Sequence, residues 1–153
     1  MQIRIDDLSG PEIAALLDEH IHDMRSVSPP ESTHALDLPG LRRTEITFWT
    51  IWDGPQLAGC GALKQLDPAH GEIKSMRTAK ACRKRGVASA MLTHIIAEAR
   101  NRKYHRLSLE TGSMPFFEPA RRLYRKFGFL PCGPFAGYKD DPNSAFFTKV
   151  LQP

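Results

Sequence analysis

Cysteine is scarce and scattered in this 153-residue chain: Cys60, Cys82 and Cys132 stand far apart, and no Cys-x-x-Cys pair occurs. That excludes a disulfide scaffold, argues against zinc and fits reduced thiols. Long apolar runs are missing as well. The longest uncharged stretch of apolar character, Gly86 to Ala97, contains Ser89, Thr93 and His94 and is too short to cross a bilayer. The first residues, Met1-Gln2-Ile3-Arg4-Ile5-Asp6-Asp7, lack the apolar core of a secretory leader, so a cytoplasmic location with no membrane partner is expected. Neither Gly-x-x-x-x-Gly-Lys-Ser/Thr nor Gly-x-Gly-x-x-Gly is present, which removes the P-loop and the dinucleotide fingerprint. Repeats, low-complexity tracts and long linkers are absent too. Residues 1–153 therefore read as one domain, large enough for a core.

Acidic residues vanish between Glu72 and Glu98, while Lys74, Arg77, Lys80, Arg83, Lys84 and Arg85 fall in that window. The net charge is only +4, so this local cluster points to a local anionic partner rather than to general nucleic-acid affinity. A solvated basic face is the plainer alternative.

The apolar spacing predicts a mixed α/β order. Gln2–Ile5 reads as a first strand. Ser9 and Glu12, with Pro11 between them, have capping-box spacing ahead of Ile13, Leu16, Leu17, Ile21 and Met24 at helical intervals. His34 to Leu41 is a short helix or a loop. Ile46–Trp52 and Leu57–Leu66 form a hairpin across Asp53-Gly54-Pro55. Glu72–Thr78 extends the meander, and its alternation is irregular around Lys74 to Met76, compatible with a bulge. A long amphipathic helix runs from about Lys84 to Arg102. Strand Arg106–Glu110, a short helix opened by Glu118-Pro119 and ended by Gly128, and strands Phe129–Cys132 and Ala145–Leu151 follow. The expectation is antiparallel strands with one strand–helix–strand crossover.

Chemistry concentrates in Arg83-Lys84-Arg85-Gly86-Val87-Ala88, between a strand and the long helix. A loop entering a helix offers unpaired N–H groups and the positive end of the helix dipole. Gly86 and Ala88 leave room for a phosphate, and the flanking bases add charge, so the segment can cradle an anion. Arg-x-x-Gly-x-Ala after a strand resembles the pyrophosphate-binding signature of the GNAT superfamily of acetyl-CoA-dependent N-acetyltransferases. Leu123-Tyr124-Arg125-Lys126-Phe127-Gly128-Phe129 resembles the Leu-Tyr-x-x-x-Gly-Phe segment of the same family. The likeness runs from Ile46 to Leu151; Glu72–Arg77 and Leu109–Ser113 further resemble a bacterial subgroup.

The resemblance implies a mostly antiparallel sheet flanked by helices, acetyl-CoA as cosubstrate, no metal, and direct acetyl transfer to an amine of a small acceptor. It implies that Arg83, Lys84, Arg85, Gly86, Val87 and Ala88 hold the pyrophosphate. Met76 and Thr78 would pair with the pantetheine arm, and the Met76 amide would polarise the thioester carbonyl as an oxyanion donor. Glu72, eleven residues before Arg83, matches the general-base glutamate of histone-type members, with His34, His70 and Asp37 as fallbacks. Tyr124 matches the tyrosine that serves the departing thiolate. A phenol of pKa ~10 is a weaker acid than a thiol of ~8.5, so a hydrogen bond is easier than full transfer, which is uphill by about 2 kcal/mol. Where many members place an Asn against the pantetheine this chain has Phe117, leaving Ser113 or Thr111 for that contact. The acceptor groove is expected between Ser28–Leu38 and Pro134–Ser144, where Asp37, Asp140 and Asp141 could attract a cation. A homodimer is compatible with the sequence. A non-catalytic CoA sensor remains the alternative, as does a nucleic-acid module built on the basic run Arg121-Arg122-Arg125-Lys126. Trp49, Trp52 and Cys82 read as packing residues.

Overall fold

The computed structural model describes residues 1–151; Gln152 and Pro153, the end of the expected 1–153 domain, lie outside the described residues. One seven-stranded sheet organises the chain. Its strands are β1 (Gln2–Ile5), β2 (Ile46–Asp53), β3 (Gln56–Asp67), β4 (His70–Thr78), β5 (Arg106–Gly112), β6 (Leu130–Cys132) and β7 (Ser144–Val150), in the spatial order β1-β2-β3-β4-β5-β7-β6. All neighbours are antiparallel except β4 and β5, which run parallel because helix α3 (Val87–Asn101) carries the chain across between them. The expected crossover and mostly antiparallel sheet are therefore present.

Period-two alternation separates two cores. Leu63, Ile73, Leu107, Leu109 and Phe147 face α3 and helix α4 (Glu118–Lys126), where α3 contributes Val87, Met91, Leu92, Ile95, Ile96 and Ala99. Each of these side chains except Ala99 contributes roughly 1.5–3 kcal/mol by leaving water. On the other face Phe48, Leu57, Cys60 and Ala62 pack against α1 (Pro11–Val27) and the short α2 (Leu38–Leu41). The polar residues that alternate with the first set, Glu72, Lys74, Ser108 and Glu110, thus lie on the α1/α2 face.

Several boundaries differ from the sequence expectation. The cap of α1 is Gly10, which makes no side-chain bond, whereas the Ser9 hydroxyl donates to Asp7 at 2.5 Å. Pro11 occupies the first helical position, which leaves Glu12 one residue short of the capping-box site. Helix α3 starts at Val87 rather than near Lys84, since Lys84 and Gly86 both have positive φ, +64° and +79°. Helix α4 ends as expected at Gly128, φ +89°, where Phe129 N–H donates to Tyr124 O and Gly128 N–H to Arg125 O in a Schellman arrangement.

The irregularity in β4 is a bulge. The register moves from Cys60↔Arg77 to Ala62↔Lys74, so Ser75 and Met76 together oppose Gly61, and Ser75 takes φ +55°. Such an insertion bends the strand, and β4 parts from β5: their pairing consists of His70↔Arg106, Gly71↔Leu107 and Glu72↔Ser108. From Ile73 to Thr78 the edge of β4 facing β5 has no ladder partner among the described residues. No helix among them is long and apolar enough to cross a membrane.

Candidate active site

Parted strands, a helix start and a set of buried polar side chains meet in one region. At the wide end of the β4–β5 gap lies the loop into α3. Arg83, Lys84, Arg85 and Gly86 are exposed, Val87 is buried and Ala88 half-buried. Gly86 caps α3 without a side-chain bond, and the first amide satisfied within the helix is that of Ala90, donating to Gly86 O at 3.0 Å. The amides of Val87, Ala88 and Ser89 are therefore free to donate outward, in the positive field of a 15-residue helix. A Cβ added at Gly86 would meet nothing within 4 Å, so the space in front of these donors is open. Such a helix start can accept an anion. Arg85 already pairs loosely with Asp53, 3.6 Å away, while Lys84 and Arg83 carry no such partner among the described residues.

Met76 is the second residue of the bulge, and its sulfur packs toward Gly61 beneath Met91 of α3. Anchoring the side chain in this core leaves the backbone of Met76 and Thr78 along the unpaired edge of β4. Tyr124, on α4, is buried, 5.8 Å from the ring of Phe129. Its hydroxyl makes no hydrogen bond among the described residues, and burial pushes the phenol well above its ordinary pKa. A neutral, unpartnered phenol at this point can donate a hydrogen bond and resists release of its own proton.

The other face of the sheet carries the carboxylates. Glu72 is 2% exposed. Its Oε2 accepts from Tyr138 Oη at 2.5 Å and faces Lys74 Nζ at 3.3 Å, while Lys74 also donates to Tyr138 Oη at 3.0 Å. Burial and the adjacent Glu72 charge drive the Tyr138 phenol far upward, so it stays a donor. Glu110, half-buried on β5, accepts from Ser144 Oγ at 2.7 Å. Burial pushes its carboxyl up to about 7, against the pull of the Ser144 bond and of Lys74.

The two segments expected to bound an acceptor groove do meet over this floor. Ser32 donates to Asp141 Oδ2 at 2.5 Å, Asn143 donates to Ser32 Oγ at 3.4 Å, and the rings of His34 and Tyr138 touch edge-on at 5.1 Å. Phe135 and Tyr138 stack against Phe146 of β7 and seat the segment on the sheet. The three fallback groups are engaged differently. Asp37 caps α2 by accepting from Gly40 N–H, and His70 bonds Ser108 at the closed end of the gap. His34 has its pKa lowered by burial and Lys74. Asp140 is exposed, and Asp141 is held low by Ser32.

Other expectations resolve into packing. Phe117 is buried with its ring against Gly112, where an added Cβ would come within 2.0 Å of it. Ser113 donates to Pro142 O at 2.6 Å, and Thr111 is buried. Arg121 is spent on Gly112 O, Met114 O and Glu118, and Arg122 on Glu118, so the basic run of α4 is partly internally paired. Trp49 and Cys82 are core residues, and Trp52 donates to Thr50 beneath Arg4.

Comparison with known proteins gives concordant results. A model described as the acetyltransferase (GNAT) family matches residues 13–129. The chain is 61% identical over 151 residues to the uncharacterized N-acetyltransferase YsnE of Bacillus subtilis, covering 99% of this chain and 100% of that one. It is 53% identical over 149 residues to the uncharacterized N-acetyltransferase YedL of Escherichia coli, with 97% and 94% covered. Among solved structures, one from Klebsiella pneumoniae assigned to the acyl-CoA N-acyltransferases superposes with a TM-score of 0.80 at 25% identity, covering 99% of this chain and 97% of that one.

Proposed function

The chain belongs to the acetyltransferase (GNAT) family, and from that premise we propose that it moves an acetyl group from acetyl-CoA directly to a primary amine of a small acceptor. The observation that carries the proposal is the parting of β4 from β5 after Glu72↔Ser108, beside the open amides of the α3 N-terminus. The gap takes an extended thiol-bearing arm, and the helix start takes its diphosphate. Binding a strand-like arm along β4 satisfies backbone groups of Met76 and Thr78 that the sheet leaves unpaired. In this reading Arg83 through Ala88 hold the phosphates, with Gly86 leaving them room. The Met76 amide donates to the carbonyl oxygen as negative charge grows there, an effect worth about 3–4 kcal/mol for a single well-placed donor. Tyr124 donates to the sulfur as it departs.

The acceptor enters from the α1/α2 face, between His34, Tyr138 and Asp141. Glu72 and Glu110 give that entrance the negative charge that draws an ammonium group. The ammonium must lose a proton to a carboxylate of this face before its nitrogen can attack. Glu72 was the expected recipient and stands at the floor of the cleft; its partners differ from those of Glu110.

The test is release of free CoA from acetyl-CoA with a panel of amines, amino acids, polyamines and aminoglycosides. The proposal expects amine-dependent release from at least one class, with the acetyl group recovered on nitrogen. Tight coenzyme binding with no release from any of them would leave a coenzyme-binding protein without transferase activity.

A further inference from the structure

We infer that Glu110 takes the proton of the acceptor's ammonium group, with Glu72 acting beside it as a positioning residue; this rests on the acetyl transfer proposed above. Ser108 is the last residue of β5 paired to β4, opposite Glu72. Two residues further, and so on the same face, Glu110 stands about 7 Å along the strand. Continuing the register would set it level with Lys74, two residues short of Met76, but the strands have parted there. The carboxyl therefore borders the gap in which the thioester carbonyl would meet the Met76 amide. It is also tethered from the far side: Oε2 accepts from Ser144 of β7, and Oε1 makes no hydrogen bond among the described residues.

Glu72 is less accessible, although its Oε1 is likewise without a hydrogen bond among the described residues. It is almost wholly buried, and Tyr138 and Lys74 close on its Oε2. The same bonds fix where Tyr138 and Lys74 stand, so Glu72 shapes the acceptor position instead.

The charged and titratable groups around Glu110 come from every neighbouring element. Lys74 on β4 lowers its proton affinity, whereas Glu72 on β4 and Asp141 before β7 raise it. Tyr138 adds a neutral phenol, and His34, whose own pKa is lowered, completes the wall beside it. With burial the largest influence, the carboxyl titrates at about 7, where an acid–base group accepts and returns a proton most effectively near neutrality.

The step balances without any further reactant. The ammonium gives one proton to Glu110 and becomes a neutral amine. Its nitrogen forms the N–C bond to the thioester carbon, and the C–S bond breaks with its electron pair on sulfur. The nitrogen's surplus proton ends on that sulfur, giving the amide and the free thiol. Glu110 returns its proton to water once the amide has left.

The test is the pH dependence of kcat/KM for wild type, Glu110→Gln and Glu72→Gln, using the panel amine that releases most CoA. Wild type should show a limb near pH 7, and Glu110→Gln should lose that limb together with about 100-fold of kcat/KM at pH 7. Its remaining activity should rise only with the amine's own ionisation. Glu72→Gln should keep the limb but move it to lower pH, because one anion that raises Glu110 is gone. Acetyl-CoA affinity, measured by calorimetry, should be the same in all three. A limb that persists in Glu110→Gln, or disappears only in Glu72→Gln, overturns the inference, and so does a fall in acetyl-CoA affinity equal to the lost activity. Wild type that acetylates no amine overturns the transferase reading instead. That failure is recognisable on its own, because a glutamate side-chain 13C resonance absent from Glu110→Gln would still titrate near pH 7.

Discussion

Replacing Glu110 by Gln should stabilise the protein above neutral pH and change little near pH 5. The carboxyl titrates from 4.5 in the unfolded chain and at about 7 in the folded one, chiefly because folding buries it. The folded state thus keeps the proton that the unfolded chain has already lost between those two values. Stability falls as pH rises through that window and levels off above 7. The full difference amounts to at most about 3 kcal/mol, at 1.36 kcal/mol for each pH unit separating the two titrations. For a chain of this length that corresponds to at most about 6–12 °C in melting temperature. Gln preserves the shape and the bond to Ser144 but carries no charge to desolvate, so it escapes the loss. Thermal melts of both proteins from pH 5 to pH 8.5 should give curves that diverge upward with pH, the variant being the more stable. A constant gap across the range, or a variant that melts lower at pH 8, would refute the reasoning about desolvation at this position.

Three other substitutions probe separate parts of the site. Gly86→Val puts a β-branched side chain at φ +79° with open space around it; a backbone cost of about 1–2 kcal/mol is expected, with acetyl-CoA affinity down at least about 10-fold by calorimetry. Unchanged affinity would remove the loop from coenzyme binding. Tyr124→Phe deletes a hydroxyl that has no partner among the described residues, so stability should hold within about 1 kcal/mol. Its kcat should nonetheless fall about 10-fold with coenzyme affinity unchanged, as expected for an interaction made only in the transition state; full activity would return Tyr124 to packing alone. Gly112→Ala would place a Cβ 2.0–2.7 Å from the ring of Phe117 and should destabilise by about 1–3 kcal/mol in urea titrations. Adding Phe117→Leu should recover most of that loss, and failure to do so would mean that the clash lies elsewhere.

The elements that the sequence announced most clearly are those whose signal is local. The stripe Val87, Met91, Leu92, Ile95 and Ile96 specifies α3, and Gly128 marks the end of α4. The loop into α3 was legible as a helix start for the same reason, since Gly86 marks it within its own residues. Irregular alternation around Lys74 to Met76 hinted at the bulge, but the parting of β4 from β5 is tertiary and left no local mark. Ser9 misled because proline's preference for the first helical turn moved the cap to Gly10. Tyr138 lies in a loop without periodicity, and only the folded chain brings it to Glu72 across 66 residues of sequence. Glu110 was visible as a carboxylate alternating with Leu107 and Leu109. What makes it special is burial beside Ser144 and Lys74, and that no sequence window contains.

The claim on which the rest depends is that the amides entering α3 grip the coenzyme's diphosphate. Calorimetric titration of the wild-type protein with coenzyme A and with pantetheine, which has the same thiol arm but neither the diphosphate nor the adenosine, tests it, with adenosine 3′,5′-bisphosphate as the control for the nucleoside end. The account predicts saturable heat with coenzyme A and binding at least about 100-fold weaker with pantetheine, the contribution of two or more charge-assisted hydrogen bonds. Equal affinity for the two, or no heat from either, would contradict it.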